Sequence, residues 1–75
     1  MDEYLFKTDS MYVYFRYDEC CLNYIVYDRG FNVIDAGLID DCSSDLWILA
    51  EDLTDECVVK SCVVSEYEDC LRGAV

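Results

Sequence analysis

The alternation of residues 11–17 constrains the fold more than anything else in the chain. Met11, Val13, Phe15 and Tyr17 occupy one parity and Tyr12, Tyr14 and Arg16 the other. Successive side chains of a strand point to opposite faces, so this pattern predicts a strand with an apolar face. Asp18-Glu19 breaks it. Residues 22–27, rich in β-branched and aromatic types, predict a second strand. A short opening strand is expected at Tyr4-Leu5-Phe6, followed by the turn-like Thr8-Asp9-Ser10. Asp28-Arg29-Gly30 predicts a type I turn with a bulge, Gly30 supplying the positive φ, and closes a hairpin onto residues 31–38. Gly37 inside that strand signals a bulge or a close backbone approach. The outcome is an antiparallel β-meander of three to four strands.

The second half loses the alternation. Ser43 or Ser44 reads as a helix N-cap, with Asp45 in the first turn where the helix dipole favours an anion. Leu46, Leu49, Ala50 and Leu53 follow the spacing by which a helix lies on a sheet, and Trp47 and Ile48 widen the stripe. Residues 57–64 are open to either reading. Four valines favour a strand, while the lack of Gly or Pro from 38 to 72 permits helix. Ser65-Glu66-Tyr67-Glu68 has capping-box spacing, and Gly73 stands where a helix C-cap would. The class is α+β: the meander followed by one or two helices packed on the sheet, as a single small acidic domain over residues 1–75.

Charge constrains function as alternation constrains fold. Seventeen Asp and Glu face five Lys and Arg, with no His, for a formal charge of −12. Other polar residues are few: five Ser, two Thr, two Asn and no Gln. Polar groups go outside, so nearly any wet face is anionic. A charge of about 2–8 already suffices for the solubility of a small domain. The excess points to a basic partner and argues against direct binding of nucleic acid or acidic lipid. No segment reaches the roughly 18–20 apolar residues of a membrane span, and the acidic start Met1-Asp2-Glu3-Tyr4 is unlike a secretory signal. The expected compartment is the cytoplasm, or the host-cell cytoplasm for a phage-encoded chain.

The six cysteines are expected as reduced, buried thiols rather than three disulfides. No C-x-x-C pair and no EF-hand pattern occurs. The commonest general base and metal ligand is missing, and the glycines at 30, 37 and 73 are too dispersed for a phosphate loop. The reading is non-enzymatic, without metal or other cofactor.

Three acidic groups remain as candidate contacts: Asp40, Asp41 and Asp45; Glu51, Asp52, Asp55 and Glu56; and Glu66, Glu68 and Asp69. On a continuous helix Glu51 with Asp55, and Asp52 with Glu56, stand at i, i+4. Such like-charge pairs cost about 0.2–0.5 kcal/mol each, at a separation close to that of successive phosphates. Tyr12 and Tyr14 are the second candidate, either exposed as interface residues or covering the sheet's second face beneath a helix.

In size, acidity and lack of catalytic motifs the chain resembles the compact acidic inhibitors of phages and mobile elements, the anti-CRISPR and anti-restriction nucleic-acid mimics. No family motif transfers a role to a particular residue. The resemblance implies a stoichiometric inhibitor, monomer or homodimer. Its carboxylates would occupy the basic nucleic-acid cleft of a CRISPR effector, restriction enzyme or similar protein. Two other readings stay open: a regulatory or adaptor protein using a Tyr-rich sheet face or edge, and a cysteine-based metal or redox protein.

Overall fold

The computed structural model describes residues 3–19, 21–40 and 45–73. Five strands form one antiparallel sheet: β1 (Glu3–Thr8), β2 (Met11–Asp18), β3 (Cys21–Asp28), β4 (Val33–Ile39) and β5 (Val58–Cys62), in the spatial order β4-β3-β2-β1-β5. The first four are the expected meander. Helix α1 (Leu46–Thr54) then carries the chain back to the opposite edge, where β5 pairs with β1. Of the stretch 57–64, open between helix and strand, Val58–Cys62 is therefore strand. A 3-10 turn (Val64–Tyr67) and a short helix α2 (Glu68–Gly73) complete the α+β fold.

The sheet is sandwiched. Its first face buries Phe6, Val13, Phe15, Leu22 and Val26 with Ala50 of α1, and Leu46, Leu49 and Leu53 pack around them. The alternation of 11–17 and the helical stripe thus meet as read. Ala50 is small enough to bring the helix backbone close to the sheet. The second face buries Leu5 and Tyr27 against Leu71 of α2, with Tyr12, Tyr14, Ile25, Cys62, Val64 and Tyr67 around them. Tyr12 and Tyr14 accordingly cover the second face under the C-terminal elements.

Local chemistry departs from expectation at four points. Asp45 itself is the N-cap of α1, its carboxylate accepting from the Trp47 amide at 2.9 Å. Ser43 and Ser44 lie outside the described residues. The helix stops at Thr54 because Asp55 turns left-handed at φ 56°, and the Thr54 hydroxyl donates back to the Ala50 carbonyl at 2.8 Å. In the β3–β4 loop the positive φ belongs to Phe31 (61°), not to Gly30. The Asp28 carboxylate gathers the amides of Gly30 and Asn32 at 2.9 and 3.0 Å, and the Phe31 ring stacks on Tyr12 with centroids 4.3 Å apart. The aromatic contact selects the conformation that a glycine would adopt freely. Finally, no capping box forms: Val63 precedes the 3-10 turn without a side-chain cap, and Gly73 ends α2 as a helical residue without a positive φ.

Gly37 makes the close approach read for it. A Cβ there would lie 2.8–2.9 Å from the Tyr24 ring and hydroxyl, so the tyrosine covers the glycine. The bulge falls elsewhere, where the register shifts between Val26 and Tyr27 opposite β4.

Candidate protein-binding surface

Strand parity sorts the charges. Register pairs Glu3 with Arg16, Lys7 with Tyr12, and Lys7 with Lys60. All of these share the face of Leu5, Tyr12 and Tyr14, the one that α2 covers. Arg72 lines a hollow of about 420 Å³ on that face, together with Arg16, Tyr14 and Leu71. Four cations therefore lie on the α2 side, and Arg29 sits in the β3–β4 loop. Helix α1 contains no Lys or Arg, and no Lys or Arg occupies the sheet positions beneath it.

The candidate carboxylates divide into three kinds. Asp45, Asp52 and Asp55 are exposed on the α1 side and free to meet a partner, apart from the cap bond of Asp45. Beside them project two apolar side chains. Trp47 is 41 % exposed and sets its edge against Phe6, with centroids 5.9 Å apart. Ile48 is 57 % exposed and points to solvent instead of widening the buried stripe.

Glu51 and Glu56 are occupied within the fold. Glu51 accepts from the Val58 amide at 3.0 Å, fastening the start of β5 to α1. Glu56 accepts from the hydroxyls of Ser10 and Thr8 and from the Ser10 amide, joining the β1–β2 turn to the α1–β5 connection. The Ser10 hydroxyl, then Thr8, hold its carboxyl below the usual range. Since the helix ends at Thr54, neither i, i+4 carboxylate row exists.

The third group does not join the first two. Glu66 lies in the 3-10 turn and Glu68 and Asp69 in the first turn of α2, all exposed on the side that also carries the cations. Asp40 follows β4 and accepts from the Cys21 thiol at 3.6 Å; Asp41 lies outside the described residues.

The tyrosines are structural in their first role. Tyr14 donates to the Glu3 carboxylate at 2.8 Å, and partial burial with that neighbour pushes its hydroxyl up to about 12. Tyr12 stacks on Phe31 and meets Tyr67, with the Lys7 ammonium 5.9 Å from its ring centre. Sequence reasoning missed Trp47 and Ile48 as exposed residues; their position beside the stripe was the only signal.

Cys57, Cys62 and Cys70 are free thiols, Cys57 and Cys70 exposed rather than buried, and among the described residues no three acidic, Cys or His side chains gather as a metal site. No helix among them is long and apolar enough to cross a membrane. Comparisons with protein families, with curated proteins and with solved structures find no match.

Proposed function

We propose that this protein is a non-enzymatic inhibitor that binds, one to one, the basic nucleic-acid-binding surface of another protein, its carboxylates standing where phosphates would. A defence nuclease such as a CRISPR effector or a restriction enzyme is the target class. The observation that carries the reading is the segregation of charge. The sheet's Lys and Arg residues lie on the α2 side, which leaves Asp45, Asp52 and Asp55 around α1 without a cation among them. A purely solubilising charge has no need of a side kept clear of cations. Trp47 and Ile48, exposed on the same helix, supply the apolar contact that electrostatics lacks, since aromatic anchors carry much of an interface's affinity. The field would speed encounter and make binding salt-sensitive.

The test is displacement of a labelled DNA duplex from a CRISPR effector and from a restriction enzyme at low and high salt. Asp45→Asn, Asp52→Asn and Asp55→Asn are combined in one variant; Asn at 45 keeps the helix cap. At about 0.2–1 kcal/mol for each exposed pair, the triple variant should bind roughly 3- to 100-fold more weakly. A companion variant neutralising Glu66, Glu68 and Asp69 should bind nearly as the parent does. Glu51 and Glu56 stay intact because they hold the fold. Displacement that ignores both salt and the triple substitution sinks the reading.

A further inference from the structure

Among the described residues the sheet ends in two unpaired edge strands, and they are built differently. Strand β5 is five residues long, meets β1 through a register shift, and carries Lys60. Short length, irregularity and an edge lysine are the devices by which proteins keep foreign strands away. Strand β4 shares the register shift, opposite Val26 and Tyr27, but has neither the short length nor the lysine. It is seven residues long and contains no Lys, Arg or Pro. Val33, Ile34 and Leu38 stand 47 %, 53 % and 66 % exposed. Its one charge, Asp35, is folded back on the strand, its carboxylate accepting from the Ala36 amide at 2.9 Å. Register puts Val33, Ala36 and Leu38 on the second face with Tyr27, Ile25 and Asn23, and Asp35 on the first with Val26. The second-face row borders an open groove of about 610 Å³ lined by Arg16, Asp18, Ile25, Ala36 and Leu38.

We propose that β4 is a docking edge, onto which an extended segment of a partner protein adds as a further strand. The segment alternates aliphatic and cationic residues. Strand addition takes affinity from backbone hydrogen bonds and specificity from alternate side chains. Here the aliphatic residues meet Val33, Ala36 and Leu38 on the second face, and a cation meets Asp35 on the first. While the edge is empty, Asp35 satisfies the Ala36 amide; an incoming carbonyl replaces it. Charge selects the occupant: a second copy would set −12 against −12, with Asp35 and Asp40 on both edges. The proposal rests on the basic-partner reading only for the sign of the partner's charge.

The experiment uses the full chain and two blocked heptapeptides, one alternating Lys with Val and one Glu with Val, followed by residue-resolved amide hydrogen exchange. The Lys peptide should slow exchange at Ala36 and Leu38 by about tenfold or more while leaving α1 unchanged. The Glu peptide should do nothing. An Ile34→Lys, Leu38→Lys variant, altered at two exposed positions, should keep its fold and lose the effect. The Asp45, Asp52 and Asp55 triple variant should keep it, which separates this edge from the α1 surface. Equal protection by both peptides, protection confined to α1 or β5, or a β4 already protected in a particle of twice the mass would each overturn the proposal.

Discussion

Phe31 concentrates a conflict at one residue. A non-glycine side chain at φ 61° sets Cβ against the following carbonyl, at a cost of about 1–2 kcal/mol. The stack on Tyr12 and the tilted contacts with Tyr27 and Tyr67 offset it. The two contributions separate by substitution. Phe31→Ala loses the ring and keeps the strain, whereas Phe31→Gly loses the ring and removes the strain. Both variants should be less stable than the parent, with the Gly form about 1 kcal/mol more stable than the Ala form by urea denaturation. Equal stabilities would show that the backbone at 31 relaxes to an ordinary conformation. Asp28 supports the same loop from the other side, its carboxyl held below the usual range first by the Asn32 amide.

Among the elements, the β3–β4 pair depends on one glycine and one ring. Tyr24 and Gly37 are cross-strand partners, and the ring lies over the missing Cβ. Gly37→Ala must push the far end of the tyrosine away, and overpacking of this kind costs about 1–3 kcal/mol. The obstacle is a side chain rather than backbone, so adding Tyr24→Ala should relieve it. The double variant should therefore be more stable than the sum of the two single losses predicts, a coupling measurable as a double-mutant cycle. Strict additivity would mean that the ring does not cover the glycine. Helix α1 is similarly tied at both ends, by Asp45 at its start and by Thr54 and Glu51 near its finish. Its capping and its carboxylate display thus share residues.

For the whole molecule, stability should follow pH through a few identified groups. Burial, then the Glu3 hydrogen bond, raises Tyr14 from 10.0 to about 12. Between those values the unfolded chain has lost this proton and the folded chain keeps it. The raised group therefore favours unfolding as pH climbs through the window. Tyr27, raised by burial, acts in the same direction. The denaturation midpoint should fall from pH 10 to about pH 12, and Tyr14→Phe should make that fall shallower. An unchanged slope would mean that Tyr14 ionises alike in both states. Asp28 and Glu56 act at the other end: lowered in the fold, they contribute stability at neutral pH that disappears as pH falls through their folded values. Relief of repulsion among the other carboxylates opposes that loss.

Much of the architecture is legible in the sequence, because burial obeys simple periods. The alternation of 11–17 placed Val13 and Phe15 in the core, and the stripe of Leu46, Leu49, Ala50 and Leu53 placed α1 upon them. What periodicity cannot report is which polar atom meets which. Glu51 and Glu56 read like their acidic neighbours, yet tertiary contacts with Val58, Ser10 and Thr8 withdraw them from any partner. The turn at 28–32 was legible as a turn, but the left-handed residue is chosen by an aromatic cluster drawn from three distant segments. Composition alone determined that the exterior is anionic. Only the register of the strands, with side chains alternating across the sheet, decided that the cations would gather on one side and leave the other to carboxylates.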